Sequence, residues 1–326
     1  MTRNHQDEDS IKFRPSRSSR PRSKDRPKHD DAALAKVVTI DRGRYTCVLN
    51  DDEDIQISAV TARELGKAAV VVGDEVSIVG DLSGTIGSLA RIVKVSERKT
   101  SLRRTADDSE ATERILVANA NQLAIVVSAT NPEPQPRLID RALVAALNEG
   151  MQTILIITKT DLADPKELVA QYQGLTSKIL TLQKGMDLVN LKNTLKDLTT
   201  VLVGSSGVGK STLVNALVPT ADRSTGSVNE VTGRGRHTST SAHALLLPEG
   251  GWIIDTPGIR TFGIAHVENA TIAAAFTDLA EIIQNCKKAC SHDEVDCALN
   301  QLDESSAVSK NRIESLRRLM NSKAAY

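Results

Sequence analysis

The sequence predicts a multidomain α/β protein: an N-terminal β-barrel of the OB-fold type, an α/β core around a phosphate-binding loop, and a C-terminal helical segment closed on a metal. Three observations carry this. Short β-like runs separated by turn residues fill the stretch from Leu34 to Val95. Apolar strands then alternate with helical patterns as far as Asp255, with one glycine-rich loop between a strand and a helix. Finally, Cys286, Cys290, His292 and Cys297 crowd together near the end.

Composition bounds the alternatives. The 326 residues leave room for two or three domains at roughly 100–200 residues each. With 41 Lys+Arg against 41 Asp+Glu the net charge is zero, which excludes a uniformly basic nucleic-acid coat but permits local patches. One Trp, three Tyr and three Phe are too few for a row of base-stacking rings. No apolar run reaches the ~20 residues of a membrane span, and the charged N-terminus lacks a secretory h-region. Four Cys in so long a chain are not a disulfide framework. A cytoplasmic protein with no membrane partner is expected.

Residues 1–33 read as a disordered basic tail, because Lys12–Lys28 holds eight Lys/Arg and one acid among Ser and Pro. It either solubilises the protein or neutralises nucleic-acid phosphates. Residues 34–104 read as the barrel and a basic connector, with strands near Ala35–Ile40, Arg44–Leu49, Ile55–Val60, Val76–Val79 and Leu89–Val95. Arg91–Arg104, six basic residues against Glu97, is a solvated connector or a lip for RNA backbone. Cys47, alone in a barrel strand, reads as core.

Residues 105–264 read as βαβ units on a mostly parallel sheet. Strands are expected near Leu123–Ser128, Thr153–Ile157, Lys178–Leu182, Thr200–Val203, His243–Leu247 and Gly251–Asp255. Helices are expected near Arg137–Asn148, Pro165–Gln173, Met186–Lys196 and after Lys210. Residues 265–326 turn helical, with a last helix near Ser305–Met320.

The chemistry is concentrated in Gly204-Ser205-Ser206-Gly207-Val208-Gly209-Lys210-Ser211-Thr212. Glycines let successive N–H groups converge on phosphate oxygens, and the following helix adds its positive end. Lys210 is suited to the β- and γ-phosphates and Ser211 to Mg²⁺. Asp255, ending a buried strand, is suited to the magnesium shell, and the bare backbone of Gly258 to a γ-phosphate. In Thr158-Lys159-Thr160-Asp161 a carboxylate after a strand can accept both edge hydrogens of guanine, a pair that adenine does not offer. Three thiolates and one imidazole in Cys286, Cys290, His292 and Cys297 match a closed zinc shell.

Base loop, phosphate loop and switch acid here run in the order 158, 204, 255, whereas the usual GTPase order starts with the phosphate loop. This is a circular permutation. With Arg236-His237-Thr238 ahead of the switch strand, the chain resembles the circularly permuted, ribosome small-subunit-dependent GTPase family (RsgA). The resemblance implies an OB-fold, a circularly permuted P-loop GTPase domain and a helical zinc domain. It also implies a GTP hydrolase acting late in small-subunit maturation, with GTP, Mg²⁺ and Zn²⁺ bound and the small ribosomal subunit and its rRNA as partners. The protein itself is expected to be a monomer.

Where many GTPases orient water with a Gln, this chain has Ile259 after Gly258, so His237 is the candidate for that role. Three departures from the family pattern stand out. Thr158 replaces an Asn, which removes an amide that would brace the loop and approach guanine. Thr181-Leu182 replaces a Ser-Ala pair that backs guanine O6, and is expected to offer a backbone N–H. The Cys-X3-Cys-X-His-X4-Cys spacing is one residue shorter in each of its two Cys-spanning gaps. Other classes on the same loop are a small-molecule kinase and a non-catalytic RNA-binding assembly factor.

Overall fold

The computed structural model describes residues 29, 31–65, 70–105, 113–219, 242–256, 262–288, 290–301 and 307–324. Ala32–Tyr326 form one compact unit, and of the expected tail before it only His29 and Asp31 are described.

Strands β1 (Ala33–Asp41), β2 (Arg44–Leu49), β3 (Gln56–Thr61), β4 (Glu75–Gly80) and β5 (Ala90–Val95) make the barrel. Their order, β1-β2-β3-β5-β4 with β4 returning to β1, closes the sheet, and β3 runs parallel to β5. Alternation drives this: Ala35, Val37, Cys47, Ile57, Ala59, Val76, Ile78, Ala90 and Ile92 all point into one core. Cys47 is core, as expected, and burial pushes its thiol up to about 12.

The connector differs from the expectation of an open basic segment. Ser101–Thr105 is a strand, β6, paired antiparallel with β7 (Glu113–Ala118). Gly73 fixes the hairpin against the barrel: its N–H donates to Val37 O at 2.8 Å and its carbonyl accepts Asn119 Nδ2 at 3.0 Å. A Cβ at this left-handed position (φ +89°) would sit 2.1 Å from Ala118 O, so no other residue fits without displacing backbone.

The α/β core follows the predicted order. Strands β8 (Gln122–Ser128), β9 (Gln152–Thr158), β10 (Lys178–Thr181), β11 (Thr199–Val203), β12 (His243–Leu246) and β13 (Trp252–Asp255) line up as β10-β9-β8-β11-β13-β12. All are parallel except β12. Helices α1 (Pro136–Asn148), α2 (Lys166–Tyr172), α3 (Val189–Leu195) and α4 (Lys210–Leu217) complete the crossovers. Leu123, Ile125 and Val127 of β8 face one core with α1, whereas Ala124 and Val126 face the other with α3 and α4. The carboxyl ends of the five parallel strands therefore share one edge, where open α/β sheets bind ligands.

Helices α5 (Asn269–Ala274), α6 (Ala280–Ile283) and α7 (Ala307–Ala324) follow. Ile272 of α5, Phe276 and Leu279 of the turn before α6, and Leu316 and Leu319 of α7 pack into the same core as Ile139 and Val144 of α1. Among the described residues no helix is long and apolar enough to cross a membrane.

Candidate functional site

The glycine-rich loop leaves β11 and enters α4 at the shared edge. A Cβ on Gly204 would lie 2.1 Å from Val126 O, so the loop can pass this close to β8 only with glycine there. Gly209 caps α4 in the left-handed conformation (φ +97°), which turns the backbone N–H groups of the first helical turn toward the loop's mouth. The Lys210 ammonium lies within that mouth, donating to Gly204 O and, at 2.8 Å, to Ser205 O. Burial lowers the Lys210 pKa and the Asp255 charge opposes the shift. Asp255, 4% exposed, ends β13 beside the loop, and the following Thr256 hydroxyl donates to Leu202 O at 2.5 Å, fixing the chain as it leaves the strand. Ser211 and Thr212 open α4 in its first turn.

The base loop is fastened directly to the phosphate loop. Thr158 Oγ1 lies 2.6 Å from Val208 O and 3.1 Å from Val127 O, so its one proton bridges toward the loop. The hydroxyl thus braces the neighbouring loop, a role expected of the amide it replaces. Lys159, at φ +57°, donates to Gly207 O at 2.9 Å and to Asn131 O. Thr160 N donates to Leu182 O at 3.3 Å, which holds the base loop against the end of β10. Asp161 is exposed.

One expectation is narrowed. The N–H of Leu182 already donates to Ile157 O at 2.7 Å, extending the β9–β10 ladder. Of the Thr181-Leu182 pair, the Leu182 N–H is therefore already engaged.

Sequence reasoning passed over the segment between β8 and α1. Ser128 donates to Pro132 O at 2.6 Å, Ser205 Oγ donates to Gln135 Oε1 at 3.1 Å, and Asn131 O takes Lys159. A signal existed: β8 ends at the same edge as β9 and β11, so the Pro-rich turn after it had to border the site. Arg236, His237, Thr238, Gly258 and Ile259 lie outside the described residues.

At the far end, Cys286, Cys290, His292 and Cys297 bring their ligand atoms within 4.8 Å of one another and could hold a metal ion. Cys286 Sγ is 3.8 Å from Cys297 Sγ and 3.6 Å from His292 Nδ1, and Cys297 Sγ is 3.9 Å from that nitrogen. A tetrahedron with bonds of about 2.3 Å to sulfur and about 2.0–2.1 Å to nitrogen has edges of about 3.8 and 3.5 Å, so the set fits a metal despite the shortened spacing. Cys290 donates to Glu294 Oε2 at 2.8 Å, which pushes its thiol up to about 12. Arg317 of α7 donates to His292 O at 2.6 Å and to Asn300 Oδ1 at 2.6 Å, staking the metal loop to the last helix.

Comparison with known proteins gives concordant results. The family model described as RsgA GTPase matches residues 95–265. A small ribosomal subunit biogenesis GTPase RsgA from Pseudomonas syringae pv. tomato is 36% identical over 288 residues, 82% of this chain and 82% of that protein. The protein of the same name from Pseudomonas syringae pv. syringae is 38% identical over 264 residues, 78% and 75% of the two chains. The crystal structure of YjeQ from Thermotoga maritima is similar at a TM-score of 0.68 and 27% identity, covering 90% of this chain and 99% of that one. That of YloQ, a circularly permuted GTPase, shares the fold at a TM-score of 0.65 and 23% identity, covering 92% and 98%.

Proposed function

The chain belongs to the RsgA GTPase family, and from that premise we propose that it hydrolyses GTP in the maturation of the small ribosomal subunit, with the subunit stimulating hydrolysis and hydrolysis releasing the protein. The observation that carries this is the fastening of Thr158 and Lys159 to Val208 and Gly207, which makes one site of two loops 46 positions apart in permuted order.

Asp161 accepts the two edge hydrogens of guanine. Backbone N–H groups of Gly204–Thr212 surround the phosphates, and the Lys210 ammonium moves from the loop carbonyls onto the β- and γ-phosphate oxygens. The Ser211 hydroxyl and the Asp255 carboxylate would hold Mg²⁺, which when bound neutralises charge on those oxygens. Gly258 offers its N–H to the γ-phosphate. His237 orients the attacking water, held in place only once the subunit is bound. The four-residue thiolate and imidazole cluster holds zinc as a closed structural site. The protein acts as a cytoplasmic monomer on the rRNA of the subunit, with the basic residues of β5 and β6 facing its backbone.

The test is phosphate release with and without small subunits. Phosphate freed without any acceptor separates hydrolysis from a kinase reaction. His237→Ala should keep GTP affinity and subunit binding while losing most of the stimulated rate; full stimulation in that variant would remove His237 from its role.

A further inference from the structure

Helix α1 has polar contacts at both ends of a short path between the nucleotide loops and the C-terminal helices. Just before its first turn, Gln135 takes Ser205 of the phosphate loop, and Asn131 takes Lys159 of the base loop. One turn in, Asp140 is 2% exposed and receives Arg312 Nη1 of α7 at 2.5 Å, the Ser315 hydroxyl, and Tyr172 OH at 3.2 Å. Tyr172 closes α2, the helix that follows the base loop. Arg312 is itself 1% exposed; its Nε donates to Asp278 Oδ2 at 2.9 Å, and its guanidinium lies 4.2 Å from the centroid of Phe276. One buried guanidinium thus ties the last helix to α1, and through Asp140 it shares a partner with Tyr172 of α2, the helix that follows the base loop.

A buried ion pair is a poor device for stability, since well-packed apolar residues of similar volume often do as well or better. What it supplies is geometry: planar, directional bonds that admit one spacing of the three helices. We propose that Arg312 and Asp140, with Tyr172, are positioning residues for the guanine nucleotide, setting α1 and α2 so that residues 131–135 seat on the phosphate loop and Lys159 spans the two loops. This rests on the guanine-nucleotide reading of those loops. Nucleotide retention is then linked to where α7 lies, and by reciprocity a bound nucleotide biases α7.

The experiment is release of fluorescently labelled GDP from the full chain, together with KM and kcat for GTP. Asp140→Asn removes the charge, and Tyr172→Phe removes only a hydroxyl and decides the matter where the first variant fails to fold. Release should quicken by about three- to thirty-fold, and KM should rise while kcat at saturation holds. Ile92→Val, in the barrel core, lowers stability without touching the joint and should leave release as in wild type. Variants that are folded by thermal melting yet release GDP and show KM as wild type does would overturn the proposal, leaving Arg312 only as structural glue. Acceleration by Ile92→Val equal to that of Tyr172→Phe would overturn it too. A wild-type protein that retains no labelled GDP would overturn instead the guanine reading beneath it.

Discussion

Thr158 ends β9 under the phosphate loop, and its hydroxyl is the shortest polar link between the two halves of the site. Thr158→Val keeps the side-chain shape and strands Val208 O without its donor, a loss worth about 1–3 kcal/mol. GTP affinity by calorimetry should fall by about tenfold; unchanged affinity would mean the loop holds itself. Asp161→Asn should weaken guanine and admit xanthine nucleotides in a competition titration, since the amide turns an acceptor into a donor toward the extra carbonyl. Wild type that binds ATP as well as GTP would undo the assignment. Both positions stand out in the sequence because a loop's chemistry follows from residue type and from the strand before it, but the brace made by the Thr158 hydroxyl is not legible there, since it depends on how close Val208 O comes. The availability of the Leu182 N–H was not legible: whether a backbone donor is free depends on how far the β9–β10 ladder runs, and that is a matter of register.

Among the elements, the barrel strands could be read to within a residue or two because β-branched and apolar runs bounded by turn residues mark them, even where β1 and β4 shift register. The β6–β7 hairpin escaped the same reading. Ser101–Thr105 carries one apolar residue, Leu102, and a register shift between Leu102 and Arg103 breaks the period that would reveal a strand. Its charged composition resembles that of a linker, and only pairing with β7 and contact with the barrel make it a strand. Gly73 is where that contact is closest. Gly73→Ala combines a left-handed backbone with a Cβ driven toward Ala118 O, and should destabilise the protein by about 2 kcal/mol or more. Thermal melting checks this: a midpoint equal to wild type would show that the hairpin can lift away at no cost.

For the whole molecule, a closed zinc shell among so many polar residues implies a C-terminal segment that leans on its metal, having little core of its own. The structure divides that dependence. Cys286–Cys297 is a loop region with little regular structure, whereas Leu316 and Leu319 of α7 lie in the core they share with α1. Such sharing is invisible in a sequence because the partners are more than 160 positions apart. Chelation, followed by elemental analysis and limited proteolysis, should remove one zinc and open the chain between Cys286 and Cys297 while far-UV dichroism changes little; Cys290→Ala should do the same. Wholesale loss of helix on chelation would show that α7 depends on the metal after all. A different contrast separates the barrel from the nucleotide sheet. Among the described residues, β1 meets β12 through one bridge, Thr39 with His243, whereas β11 and β13 share a ladder of four paired positions. In terms of time, these joints keep different clocks. A single bridge opens and recloses with the side chains around it on the scale of about microseconds to milliseconds, while Val38, Val48 and Val72 stay seated in the core they share with Trp252. The ladder parts only when the domain unfolds, so β13 can carry a bound nucleotide through many such excursions without losing its place.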